Sequence, residues 1–311
     1  MSAADRSADP AGAVSGAPLP PSRSGRGPVS GLRAWPSGWA GNWMLAVGLG
    51  LAVLLAAAAV WVALAPPVGA ERGSLLMRLK PPGTDGAWLG TDQLGRDLWA
   101  RVLAGLPWSL GIALAASLIA TLLGAAVGLA AAWYPGRTRR LLSQSIDTVI
   151  AFPSLVLAVT VIALVGRGFW PLAITLGLAT WPIAARVVYA EALSVIERDY
   201  VVAARLLGVG DGAILVGHVL PALRPTLMVM FAFTYADMLI AESALSFLGL
   251  GLPLTAASWG NMLSESRQYL VGAPWMMLVP AGAIVLAVVT LNLIGDGVAA
   301  AARRRARVVE A

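Results

Sequence analysis

Six long stretches of this chain run almost without charge, and each is long enough to cross a bilayer. A hydrocarbon core about 30 Å thick needs roughly 20 mainly apolar helical residues. The stretches fall at about 43–65, 107–133, 147–166, 169–189, 223–245 and 275–298. Only helices or closed barrels satisfy their backbone inside lipid, and runs of this length predict helices. With 58% hydrophobic and 12% charged residues, a soluble fold is excluded. The predicted class is an all-α membrane protein with six spans. Pro153 and Pro182 are expected near span ends, where a lost helical hydrogen bond is tolerable.

The organisation follows. Residues 1–42, rich in Ser, Gly, Pro and Ala, predict a disordered tail, and 43–65 the first span. A signal peptide ending at Ala63-Leu64-Ala65 is the rival reading, but the leader and the apolar run are both too long for one. Residues 66–106 form a loop, 107–298 the core of the membrane domain, and 299–311 a basic tail. Counting basic residues in alternate loops gives fifteen on the side holding both termini and seven on the other, which places the termini in the cytoplasm.

Several chemistries drop out. The chain has no cysteine and a single histidine, His218, so neither a thiolate site nor a histidine metal cluster is available, and no cofactor is expected. The only lysine, Lys80, precedes Pro81, which leaves no place for a phosphate-binding loop ending in Gly-Lys-Ser/Thr. The net charge of +6 is spread over loops without stacking aromatics, which argues against nucleic acid.

The largest cytoplasmic loop lies between spans four and five. Tyr189, Leu193, Ile196 and Tyr200 recur at helical spacing, Gly208 and Gly210 break the pattern, and a short helical stretch, Ala213 to Val219, precedes Leu220-Pro221. Two short helices about a glycine hinge suit docking on another protein, and a solvated connector is the plainer alternative. Within it, Val202-Ala203-Ala204, then Gly208, then His218-Val219-Leu220-Pro221 resembles the EAA loop of membrane subunits of binding-protein-dependent ABC importers. Val202 stands where the name-giving glutamate of that family would be.

Three further segments resemble the dipeptide, oligopeptide and nickel permease branch. These are Leu89-Gly90-Thr91-Asp92-Gln93-Leu94-Gly95-Arg96-Asp97, then Ser246-Phe247-Leu248-Gly249-Leu250-Gly251 with Ser258-Trp259-Gly260-Asn261-Met262-Leu263, and Asn292-Leu293-Ile294-Gly295-Asp296-Gly297. Ala151-Phe152-Pro153-Ser154 also fits its third span. The resemblance covers about residues 43–298. It implies the type I permease fold in a bacterial inner membrane, with a coupling helix between helices four and five. The implied partners are a second permease subunit forming a heterodimer, two ABC ATPase subunits, an extracytoplasmic substrate-binding protein and the lipid bilayer. The chain would then be no enzyme itself, with ATP hydrolysed on the partner subunits while it carries peptides, a nickel complex or a related small solute.

Particular residues carry these expectations. Ala203, Ala204 and Gly208 would let the backbone approach the ATPase. The extracytoplasmic motif Gly90, Thr91, Asp92, Gly95, Arg96 and Asp97 either belongs to a surface that receives the binding protein or has Asp92 or Asp97 capping a short interfacial helix. Ser258, Trp259 and Asn261 either face solute or satisfy backbone groups in an outer or re-entrant element between Pro253 and Pro274. His218 is expected to satisfy a freed backbone group at the entry to span five. Asp237 and Glu242 are the costly residues, since an ionised acid at mid-bilayer costs about 2.5–3.5 kcal/mol on the insertion scale. At 100° per residue they point about 140° apart. Glu242 is the expected mouth-lining group, with Asp237 pairing across helices; the plainer alternative is that protonation or a partner neutralises both acids. The alternative function, an ion-coupled secondary transporter, would use these two acids to carry protons.

Overall fold

The computed structural model describes residues 40–67, 70–84, 86–253 and 255–309, with side chains from Trp43 to Arg304. The polar leader, residues 1–39, lies outside them. The helices are α1 Ala40–Leu64, α2 Leu98–Trp133, α3 Arg137–Ile150, α4 Ser154–Val165, α5 Phe169–Ile196, α6 Asp199–Leu206, α7 Asp211–Ile214, α8 Leu220–Phe247, α9 Trp259–Ser266 and α10 Trp275–Val309. Among the described residues the only strand-like pairing is two isolated bridges, Thr84 with Ala87 and Thr91 with Asp97. Five helical segments are each long and apolar enough to cross a membrane, and the count rises to six if the bent pair, α3 with α4, is taken as one span.

The stretch expected as the third span, 147–166, is not one continuous helix. It turns by 84° between Ile150 and Ser154. Pro153 lacks an N–H, and its ring forces Phe152 out of helical geometry. The 12 residues of α4 reach only about 18 Å, short of the hydrocarbon thickness. The polar α3, with Arg137, Arg139 and Arg140 at its start, completes the element at an angle.

Other boundaries move outward. The second span begins nine residues before Pro107, because Asp97 caps the helix by accepting from the Trp99 N–H at 3.2 Å. Pro107 and Pro182 therefore lie inside α2 and α5, not at span ends. The last span does not stop at residue 298 but runs as helix through the basic stretch to Val309.

The centre of the molecule is α2 against α5. Ala116, Ala120, Gly124 and Gly128 make a stripe at four-residue spacing, which brings two backbones close in the way small residues permit in lipid. A Cβ at Gly124 would stand 2.4 Å from that of Ala184, and one at Gly128 would stand 2.4 Å from the Ala185 carbonyl oxygen. Helix α1 packs on α10, with Gly297 against Leu45.

Candidate functional site

At one end of the bundle, α2, α5 and α8 meet beneath the loop from Glu197 to Val219. Val201, Ile214 and Val219 are fully buried there against Trp133, Val188 and Val195. Helix α6 ends in a Schellman turn: Val209 N–H donates to the Ala204 carbonyl at 3.1 Å and Gly208 N–H to that of Arg205 at 3.1 Å. This turn needs a left-handed residue, and Gly208 has φ +77° with open space where a Cβ would go. After α7, a π-helical turn over Leu215–Val219 feeds directly into α8.

The loop thus has two sides. Its underside is core, while Val202, Leu206, Leu207 and Val216 face outward, the two leucines with more than 80% of their surface exposed. Ala203 lies on the outer side, whereas Ala204 is buried and faces the bundle. The small residue there fits the chain's own core and leaves Ala203 and Gly208 as the places of close outward approach. The Arg205 guanidinium lies 4.4 Å above the Trp133 ring and ties α6 to α2. His218 stacks on Tyr200 with ring centroids 6.5 Å apart, and its buried Nδ1 bonds to none of the described residues. The histidine therefore joins the two arms of the loop face to face, and Nδ1 does not fill the backbone-satisfying role expected for the ring. Leu220 and Pro221 open α8.

At the opposite end the segment Gly90–Asp97 folds into a tight loop. Thr91 donates its hydroxyl to the Met77 carbonyl and accepts from Lys80 N–H at 2.9 Å. Gly90 has φ +82°, and its carbonyl accepts from Leu98 N–H at 3.1 Å. Gly95 admits the Ser74 backbone, since a Cβ there would lie 1.9 Å from the Ser74 carbonyl oxygen.

Asp92 is fully buried and caps no helix. Its Oδ1 accepts from the N–H groups of Leu94 at 2.8 Å and Arg96 at 2.9 Å, while Oδ2 takes Arg96 Nε at 2.6 Å and an Arg101 guanidinium nitrogen at 2.8 Å. Across the gap, Glu265 of α9 receives Arg101 at 2.7 and 3.1 Å, Arg96 at 3.0 Å and Gln93 Nε2 at 2.9 Å. Two carboxylates and two guanidinium groups make a neutral clamp between the loop and α9. Burial pushes the Glu265 carboxyl up, but the hydrogen bonds and charge of Arg101, then Gln93 and Arg96, outweigh it and hold the group below its ordinary pKa. Arg101 and Glu265 are the site residues that sequence reasoning missed. They stand 164 positions apart, and neither falls in a motif.

Helix α9 is seated deeply. Ser258 caps it by accepting from Asn261 N–H at 3.2 Å, and Trp259 donates its ring N–H to the Val102 carbonyl at 2.9 Å. The Asn261 amide donates to the Pro253 and Ala256 carbonyls, each at 3.0 Å. All three residues are almost wholly buried and hydrogen-bonded to backbone groups. Glu242 is likewise fully buried, with Ser246 donating to its Oε1 at 2.8 Å. It lines no mouth in this chain, because α9 is seated over α8: a Cβ on Gly260 would stand 2.4 Å from the Ser246 Cβ. Asp237 does the opposite. It is exposed on α8 and borders a groove of about 450 Å³ between α5, α8 and α10. No cross-helix ion pair to it occurs among the described residues.

Comparison with known proteins fits this arrangement. Residues 120–308 match the family described as binding-protein-dependent transport system inner membrane component. A protein of Brucella suis named as a peptide transport system permease is 42% identical over 247 residues, 79% of this chain and 82% of that one. The glutathione transport system permease protein of Pectobacterium atrosepticum is 35% identical over 254 residues, 81% and 84% of the two chains. A second Brucella suis protein, named as a peptide permease, is 37% identical over 212 residues, 68% and 70%. Bundle, interhelical loop and sequence match agree, and the chain belongs to the family of binding-protein-dependent transport system inner membrane components, as a multi-pass permease subunit of an importer.

Proposed function

We propose that this chain is one half of a heterodimeric pathway for peptides, driven by two separate ATPase subunits and supplied by an extracytoplasmic binding protein. Both termini then lie in the cytoplasm, as does the loop over α6 and α7, and α9 with the Asp92–Glu265 clamp lies outside. The observation that carries the reading is the outward apolar face of Val202, Leu206, Leu207 and Val216 on a loop whose underside is core. Exposed apolar surface at the cytoplasmic end of a membrane bundle is protected by a protein partner.

The mechanism follows from continuity. The π-helical turn leaves no hinge between Ile214 and α8, so a partner gripping the loop moves the inner end of α8 directly. Closure of the ATPases on nucleotide would shift the bundle between inward- and outward-open states, since nucleotide binding favours one of them. No bond of the solute is made or broken. The peptide class comes from the relatives' names and from the motif-level resemblance.

The test is uptake in proteoliposomes holding both permeases and the ATPases, with the binding protein added outside. Labelled peptide should enter only with ATP and continue to enter after an uncoupler is added. Uptake by this chain alone, driven by a pH gradient, would instead assign the acids of α8 to proton carriage.

A further inference from the structure

Thr226, Met230, Phe233 and Asp237 fall on one face of α8 at spacings of four, three and four residues. Eleven residues of α-helix turn through almost a whole number of turns and rise about 16 Å, so the four stand in line along the axis. With Pro225, Val229 and Thr234 beside them they form the α8 wall of the 450 Å³ groove, whose other walls are apolar residues of α5 and α10. Among the described lining residues Asp237 carries the only charge. It stands about 15 Å from the α9 end of the helix, from ten residues of rise, with Met238, Leu239 and Ile240 following it in sequence.

An ionised acid at that depth does not face lipid without a large cost, so the groove wall bearing Asp237 faces water or a cationic group. Resting on the peptide-importer reading, we infer that the groove is the inward half of the solute route and that Asp237 binds the α-ammonium of the passing peptide. The chemistry suits such a cargo. Every peptide with a free amino terminus carries that cation whatever its side chains, so one carboxylate recognises the class without selecting a sequence. The groove is as long as roughly five residues of extended chain at 3.3 Å each. Met230 and Phe233 offer deformable, apolar contact to varied side chains, and Thr226 and Thr234 bring hydroxyls to the peptide backbone. A lone carboxylate also releases its ligand readily, as a conduit requires.

The experiment uses the complete importer in proteoliposomes, with a tripeptide and its N-acetylated form, both first confirmed to bind the binding protein. Asp237→Asn should lower ATP-driven uptake of the free-amine peptide about tenfold, in keeping with the loss of one charge-assisted hydrogen bond. It should leave the already slower uptake of the acetylated peptide unchanged, and Asp237→Glu should restore most of the difference. Subunit assembly and ATPase stimulation by the loaded binding protein should match wild type. Equal uptake of the free-amine peptide by Asp237→Asn and wild type overturns the inference. So does dissociation of the permease pair in Asp237→Asn, which would place the carboxylate against a cation of the second subunit. If the wild-type importer carries other solutes with ATP but no peptide, the peptide reading fails first and the inference falls with it.

Discussion

Replacing Arg101 by Met tests the outer clamp most directly. Arg101 is 2% exposed and its guanidinium bonds Asp92 at 2.8 Å and Glu265 at 2.7 and 3.1 Å. Methionine keeps an unbranched apolar stem and removes only the fork. Asp92 and Glu265 would then share Arg96, and the cluster would pass from neutral to one net negative charge. Breaking a buried ion pair from one side costs about 3–5 kcal/mol, and because Arg96 still serves both acids we expect the lower end, about 3 kcal/mol. Glu265→Gln alone should cost about 2 kcal/mol, since it weakens charge-assisted bonds without emptying the space. If the two groups act through each other, the double variant loses less than the sum by about 2 kcal/mol. The assay is reversible unfolding in mixed micelles, read for wild type, both single variants and the double. Additivity within about 0.5 kcal/mol, or a cost for Arg101→Met below about 1 kcal/mol, refutes the view that this guanidinium joins the loop to α9.

Three further outcomes are expected. Gly208→Trp should insert normally but cut ATP-driven uptake on the order of tenfold or more, whereas Gly208→Ala, which adds little bulk at the docking face, should cost only about 1–2 kcal/mol of loop stability for its left-handed backbone; uptake at the wild-type rate by Gly208→Trp would remove the loop from the docking surface. Because the folded pKa of Glu265 lies below its unfolded value, its contribution is complete above the ordinary glutamate pKa of about 4.3 and is lost as pH falls through the lower folded value, so protease protection of the loop after Ser74 should weaken only in that acid range and not between pH 6 and 8. Gly260→Leu should destabilise the protein by about 1–3 kcal/mol or displace α9, because even a Cβ there would stand 2.4 Å from that of Ser246; an unfolding curve matching wild type would show that α9 is not seated as described.

The spans were legible because lipid leaves the backbone no choice but to pair within the helix, so length and apolarity suffice. Their ends were not, since Asp97 starts α2 by a local cap and Arg303 to Val309 continue α10 as helix, and neither effect registers in an apolar count. The direction of a helix is equally invisible to composition, so Pro153 could be read as a lost helical hydrogen bond but not as a turn of 84°. In the inner loop Gly208 was readable, because a left-handed turn favours a residue without a Cβ. The burial of Ala204 beside the exposure of Ala203 was not, because both are alanine. The clamp was hidden by distance along the chain: Asp92 and Arg96 sit in one motif, but their partner Glu265 is a single acid in a polar stretch far downstream.

The two acids of α8 show how much more the sequence holds than a helical wheel extracts. Their 140° separation requires that they meet different surroundings, and it leaves open which one is enclosed. The neighbours decide. Ser246 lies four residues after Glu242, where a hydroxyl at helical spacing can donate to a carboxylate, and it does, at 2.8 Å. The corresponding position four residues after Asp237 is Ala241, which has no hydroxyl. A carboxylate supplied with donors by its own helix can be buried, whereas one without them must keep water or await a cation. By that criterion Glu242 belongs to the joint between α8 and α9, and Asp237 is the acid left for an incoming ligand.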